Sequence, residues 1–400
     1  MGSFLDSVPV SAIIKIRDLM VTVKDPYRLD QGDVSFDAPD SVKQAMSRAI
    51  ADNHTHYLPT TGLPRLRQLL AGKLRTKNHI PIEQDTDIVP TNGGTHAIWA
   101  VMHALFEPGD ELIVPDPEWP PTMAIATAAK ATPVGVPIYE NLAWRWDLDE
   151  LERAITPRTR AIYVNSPNNP TGGVLTRSDL ERIAAIATER KLWVISDEAY
   201  EDIIYKGEHV SIASLPGMYD RTISIFTFSK SYAITGLRLG YFVLPDKVLR
   251  DRAIKVVAYT TSNVSSVVQY GGIGALEGHQ DVVAAFRDEL KARRDLFYAG
   301  LADAAPDILT GEPPDGAFYA FVRINADWVR EAGLPGPSVS WAMAEHLIKH
   351  GKIGCVPGVD FGPSAEGYLR LCFGRSRNEL QGALASMKSV LAAEEVRTKN

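Results

Sequence analysis

Two basic residues stand where a buried strand ends. In FTFSKSYAITGLRLGY (226–241) the preceding run Thr222-Ile223-Ser224-Ile225-Phe226-Thr227-Phe228 is β-branched and aromatic enough for an interior strand. It finishes on Thr227, Ser229 and Lys230, and Arg238 returns eight residues after the lysine. A lysine amine can capture a carbonyl carbon as a Schiff base. Hydroxyls and a guanidinium beside it suit an anion such as phosphate. Phe226 and Phe228 are expected to anchor the strand, and Gly236 to let the backbone turn.

Four further strand ends carry unusual residues. Thr91-Asn92-Gly93-Gly94-Thr95 leads into a helical pattern, and glycines at a helix start leave bare N–H groups for an anion. The proline loop after 111–115 presents Trp119, an aromatic that can stack on a flat ring. The turn-rich stretch NSPNNPTGG (165–173) contains Asn169, and SDEAY (196–200) ends a strand on Asp197 with Tyr200 three residues later. Taken singly, each reads equally well as a turn, a loop anchor or a helix cap. All fall at one edge of the inferred sheet. Pyridoxal phosphate chemistry uses the whole set. It needs a lysine for the aldehyde, N–H groups and an arginine for the phosphate, a carboxylate for the pyridine nitrogen and donors for the phenolic oxygen.

The elements that must position these residues alternate. Short apolar runs at 87–89, 111–115, 160–165, 192–196, 222–228 and 240–244 are separated by helical patterns at 95–106, 177–190 and within 120–129. This predicts an α/β fold with a mostly parallel sheet, whose ligands sit at the carboxyl ends of the strands. After about residue 280 a charged helix (281–298), alternating segments at 317–324 and 368–373 and a last helix (377–394) predict a smaller α+β unit. The first 45 residues lack the strand–helix rhythm. The expected organisation is therefore 1–45 joining the small domain, 46–280 as the large domain and 281–400 as the small domain.

Bulk composition excludes several classes. The 400 residues carry a formal charge of −7, against nucleic acid as main partner. No apolar run approaches a membrane span. Cys355 and Cys372 sit in apolar settings that suit buried thiols in a reducing, cytoplasmic compartment. Gly2 is not followed by the Ser or Thr of a myristoylation signal, because Asp6 holds that position. The glycines of YGGIGALEG (270–278) miss dinucleotide-fingerprint spacing, and the stretch reads as a helix. His346 and His350 lie one helical turn apart without a zincin glutamate, and are expected on an exposed polar face.

With its motifs in this order, the sequence resembles the fold-type I pyridoxal-phosphate enzymes, specifically the class I/II aminotransferases, from about residue 29 to 390. The resemblance rests on FTFSKSYAITGLRLGY, NSPNNPTGG and SDEAY. It implies a large domain with a mostly parallel sheet sandwiched by helices, a smaller α+β domain, and pyridoxal 5'-phosphate as cofactor. It implies Lys230 as the Schiff-base lysine and proton shuttle, Asp197 as partner of the pyridinium nitrogen, and Asn169 and Tyr200 as donors to the phenolic oxygen. Trp119 becomes the stacking ring, and Gly93, Gly94, Thr95, Thr227, Ser229 and Arg238 the phosphate site. Tyr57 matches a tyrosine that reaches the neighbouring subunit's phosphate, so a homodimer is implied. Arg370, in GYLRLCFG, and Gly32 match contacts to the substrate carboxylate, although Asp33-Val34-Ser35 departs from the family's pattern beside Gly32.

The implied activity moves the amino group of an L-amino acid to a 2-oxo acid by a ping-pong mechanism through a Lys230 aldimine. A lyase or cyclising synthase on the same fold is the alternative. Two solutions that aspartate aminotransferases use for a distal carboxylate are missing. Residues 256–286 contain no Lys or Arg, and Thr95 occupies the position of a glycine-turn lysine. Lys15, Arg17, Lys24 and Arg28 remain as candidates, and aspartate, aromatic and neutral donors stay open.

Overall fold

The structure, a computed structural model, describes residues 4–398. Gly2 lies outside them, as do the extreme ends of the 1–45 and 281–400 segments. One sheet of eight strands comprises β1 (Ile88–Thr91), β2 (Glu111–Asp116), β3 (Thr132–Tyr139), β4 (Arg145–Trp146), β5 (Thr159–Asn165), β6 (Trp193–Asp197), β7 (Thr222–Thr227) and β8 (Gly240–Val243). Their order across the sheet is β1-β8-β7-β6-β5-β2-β3-β4. From β7 to β3 all neighbours pair in parallel, while β8 and β4 run against their partners. The carboxyl ends of β1, β2, β5, β6 and β7 therefore share one edge.

The helices are α1 (Ala12–Val21), α2 (Asp40–Ala51), α3 (Pro64–Thr76), α4 (Gly94–Leu105), α5 (Pro120–Ala128), α6 (Leu148–Arg153) and α7 (Arg177–Glu189). Then follow α8 (Phe228–Ser231), α9 (Lys247–Thr261), α10 (Ser266–Glu277), α11 (Asp281–Ala304), α12 (Ala326–Glu331), α13 (Val339–Gly351) and α14 (Arg377–Thr398). The period-2 alternation of the strands explains why helices cover both faces. Leu112 and Val114 pack with Ile98 of α4, Ala126 of α5 and Val257 of α9, whereas Ile113, Ile162 and Val194 pack with Ile183 of α7 on the other face. α7 starts on a capping box, with the Asp179 N–H donating to the Thr176 hydroxyl and the Thr176 N–H donating back to the Asp179 carboxylate.

A second, antiparallel sheet comprises β9 (Leu309–Thr310), β10 (Tyr319–Ile324), β11 (Val356–Pro357) and β12 (Tyr368–Cys372), in the order β11-β12-β10-β9. The N-terminal segment runs along it. The Tyr27 N–H donates to the Lys352 carbonyl and the Cys372 N–H to the Leu29 carbonyl, while Ile16 and Met20 of α1 pack on Ile348 of α13.

Three features add to or differ from the sequence reading. β3 is not among the strands read from the sequence, and it carries Pro133, Gly135 and Pro137. Its outer edge meets β4 only at Ile138 and Tyr139, and an almost bare edge tolerates residues without an N–H donor. The first 45 residues, which lack a strand–helix rhythm in the sequence, form α1 and enter α2. His346 is buried where α13 packs on α14, with the exposed His350 ring tilted beside it at 4.9 Å. The glycines of 270–278 serve helix packing: a Cβ at Gly274 would come within 2.5 Å of the Ser41 carbonyl of α2. Cys355 and Cys372 are buried free thiols. Among the described residues, no helix is long and apolar enough to cross a membrane.

Candidate active site

β7 ends by passing directly into the single turn α8. Phe226 and Phe228 are buried in the core, while Thr227, Ser229 and Lys230 face a cavity of about 250 Å³. The Thr227 hydroxyl caps this turn by accepting from the Ser229 N–H at 3.2 Å. Lys230 Nζ donates to the Gly32 carbonyl at 2.6 Å and lies 5.6 Å from the Phe318 ring. Burial pushes its pKa down to about 8, against the attraction of Asp33.

The reversal of β8 brings the second cation to the site. Gly240 pairs with both Thr91, the last residue of β1, and Thr227, the last residue of β7. Arg238, two residues earlier, is thereby placed beside the β1–α4 turn, and a Cβ at Gly93 would lie 2.5 Å from its Nη2. Gly93 adopts φ +79 as the N-terminal cap of α4, so the first N–H groups of a twelve-residue helix open beside the guanidinium. Two residues of the 229–239 loop are left-handed, Ala233 at φ +53 and Arg238 at φ +58, and Gly236, expected to let the backbone turn, is not one of them. The Arg238 side chain compensates by donating to the Thr235 carbonyl at 2.7 Å.

Asp197 closes the cavity floor. Burial pushes its carboxyl up to about 6, opposed by the Tyr163 hydroxyl at 2.7 Å and the Ala199 N–H at 3.1 Å. Behind it Glu118 is fully buried, with Thr122 and Asn168 donating to it, and desolvation raises its pKa well above the usual range. Asn168 in turn donates to the Asn165 side chain, and Asn165 accepts from the Asn169 N–H at 2.8 Å. The turn-rich stretch is therefore a tightly bonded unit that fixes Asn169 in the wall.

Arg370 enters from β12 of the smaller sheet and is almost wholly buried. It donates to Asn169 Oδ1 at 3.1 Å and to the Asp30 carbonyl at 2.7 Å, and its Nε has no partner. Tyr319 and Phe361 lie 4.6 and 5.1 Å from the guanidinium, holding it flat. The Tyr200 and Tyr319 hydroxyls meet at 2.7 Å. A side chain at Gly32 would strike the Tyr319 hydroxyl, so this position must stay bare.

A family profile for aminotransferase class I and II matches residues 24–387. The chain belongs to this family. It is 36% identical to an aspartate aminotransferase of Pyrococcus abyssi, over 98% of each chain. It is 35% identical to an aromatic-amino-acid aminotransferase of Thermococcus litoralis, over 97% of each. The fold superimposes on the structure of an aspartate aminotransferase from Thermus thermophilus with maleate at a TM-score of 0.88, with 32% identity and 98% and 99% coverage. An aromatic aminotransferase from Pyrococcus horikoshii gives a TM-score of 0.86 at 35% identity, with 95% and 100% coverage.

In this aminotransferase the cavity brings together Gly32, Gly94, Thr95, Trp119, Asn169, Asp197, Tyr200, Thr227, Ser229, Lys230, Arg238 and Arg370. Gly93 adjoins it through Arg238. Tyr57 is not in its wall; the side chain is 87% exposed. Sequence reasoning missed Ile13, Ile98, Asn165, Ala199 and Tyr319 in the wall, and Tyr163 behind Asp197. Asp33, where the sequence departs from the family pattern, accepts from the Thr235 hydroxyl and ties the N-terminal segment to the Arg238 loop. Lys15, Arg17, Lys24 and Arg28 do not line the cavity. Arg28 is forked onto Asp30 and Arg17 onto Asp18.

Proposed function

We propose that this aminotransferase uses pyridoxal 5'-phosphate, with Lys230 holding the cofactor's aldehyde, to move the amino group of an L-amino acid to a 2-oxo acid in two ping-pong half-reactions. The observation that carries the reading is the opening of three separate handles into one cavity: the Lys230 amine, the Asp197 carboxylate, and the corner built by Arg238 and the start of α4. The residues fit the group. Bare N–H groups and a guanidinium suit a phosphate, a buried acid suits a ring nitrogen, and the orphaned Nε of Arg370 offers a donor to a substrate carboxylate.

When bound, the cofactor supplies an electron-accepting ring that stabilises negative charge left at the substrate Cα. The chain's residues do the rest. Asp197 keeps the ring nitrogen protonated. Asn169 and Tyr200 would donate to the phenolic oxygen, and Trp119 would cover a ring face. Arg370, steadied by Tyr319 and Phe361, holds the α-carboxylate so that the Cα proton stands toward Lys230. With cofactor and substrate in place, Lys230 would accept that proton and return it to the former aldehyde carbon, two bonds from Cα. Its depressed pKa keeps a useful neutral fraction near neutral pH. We further propose a division into 1–45 with 281–400 as the small domain and 46–280 as the large one, supported by the bonds from Tyr27 and Leu29 to the smaller sheet. A homodimer in which Tyr57 reaches the neighbouring site accounts for that exposed tyrosine.

Lys230→Ala tests the reading. Wild type should show the visible absorbance of lysine-linked pyridoxal phosphate, and the variant should lose it with at least a 100-fold loss of amino transfer. Wild type that binds no cofactor would sink the proposal. Release of ammonia or thiol without formation of pyridoxamine phosphate would move it to the lyase class.

A further inference from the structure

We propose that the donor of this aminotransferase carries a large apolar side chain, and that Ile13 of α1 selects it. The inference rests on the reading above, in which Arg370 holds the α-carboxylate and Lys230 the reacting end. Among the described residues lining the cavity, the cations are Lys230, Arg238 and Arg370. In that reading Lys230 serves the aldehyde, Arg238 the phosphate and Arg370 the α-carboxylate. No lining cation is left for a second carboxylate.

Besides the tyrosines, the apolar side chains in the cavity wall are Ile13, Ile98, Trp119 and Ala199. Ile98 belongs to the buried core of the large sheet and Trp119 packs on that core. Ile13 arrives from a different direction, packed on the cluster that contains Phe361. Phe361 is the ring 5.1 Å from the Arg370 guanidinium. A substrate clamped by its α-carboxylate on Arg370 therefore has Ile13 as a near neighbour. A methyl-rich surface there favours an apolar side chain, and an unpaired carboxylate is desolvated without compensation.

Two further sources of positive charge are closed off. His96, in the neighbouring wall, accepts from the Asn92 N–H on Nδ1, so Nε2 carries the proton and donates to Thr260 at 2.7 Å. It is thus held as a neutral imidazole. A partner subunit contributing through 256–286 would bring no Lys or Arg from that stretch.

The test uses the cofactor-loaded enzyme with two readouts. Calorimetry compares 3-phenylpropanoate with succinate, which share one carboxylate and do not react. Rapid-mixing half-reactions compare phenylalanine and leucine with aspartate and glutamate. We expect at least tenfold tighter binding of phenylpropanoate and at least tenfold faster conversion by the apolar donors. Ile13→Arg should shrink both preferences fivefold or more. A smaller preference in wild type, or preferences unchanged by Ile13→Arg, overturns the proposal while leaving amino transfer standing. Absence of lysine-linked cofactor absorbance in wild type overturns the underlying reading as well.

Discussion

Lys230 shows how burial prepares a single side chain for chemistry. Its amine sits under Gly32 and over Phe318, and desolvation brings its pKa from 10.5 to about 8. Only the neutral amine can attack an aldehyde, so capture of pyridoxal phosphate by cofactor-free protein should accelerate with rising pH. We expect about a tenfold gain from pH 6 to 7 and a plateau above about 8, followed by stopped-flow absorbance. A rate still climbing through pH 10 would mean an unperturbed lysine. This residue was legible in the sequence, since a lysine ending an apolar strand is conspicuous. Tyr163 was not. It reads as one more core aromatic, and only the register that sets Asn165 against Asp197 brings its hydroxyl to that acid. Ile13 was equally hidden, because nothing local tells an isoleucine of an N-terminal helix that it faces a distant cavity.

Elements are joined behind the site by a buried ion cluster. Glu201, just beyond β6, takes Lys73 of α3, which lies 4.3 Å from the Phe226 ring, and accepts from Asn78 at 2.7 Å. Burial alone would raise the Glu201 pKa, but Lys73 and Lys77 outweigh it and hold it at about 2 against an ordinary 4.5. A depressed carboxyl contributes stability that is complete above pH 4.5 and is lost as pH falls toward 2. Glu201→Gln would take the carboxylate partner from the buried Lys73, whose amine desolvation already pushes below its ordinary pKa, costing about 3 kcal/mol at pH 7. Urea unfolding should also show a flatter decline between pH 4.5 and 2 than wild type. An unchanged midpoint at pH 7 would remove the cluster from the stability account. At this scale the buried runs of β2, β5, β6 and β7 were readable because continuous apolar strands announce a parallel sheet. β3 was missed, and the tolerance of its prolines depends on a sparsely paired edge that exists only after the sheet is assembled.

The whole molecule frames its cavity from two sheets. Lys230 and Asp197 come from the large one, Arg370 from the small one, and Gly32 from the segment that crosses between them. Tyr57, 87% exposed, lines no part of this cavity within one chain. We expect sedimentation at twice the chain mass, and Tyr57→Phe to weaken pyridoxal phosphate retention about tenfold, as befits loss of one charge-assisted hydrogen bond. A monomer that retains cofactor equally well with and without the Tyr57 hydroxyl would defeat the intersubunit role. The expectation of a homodimer rests on family resemblance alone, since an exposed tyrosine by itself carries no address.

Gly240 pairs with the last residues of two strands at once, and Arg238 owes its position to that double registration. A slip of β8 by one residue would turn Arg238 to the opposite face of the sheet and unseat both pairings. A phosphate-bearing ligand bound at this corner, as proposed above, would discriminate against misthreaded chains. Cofactor retention after refolding becomes a fidelity check on strand threading, readable by colour before any turnover is measured.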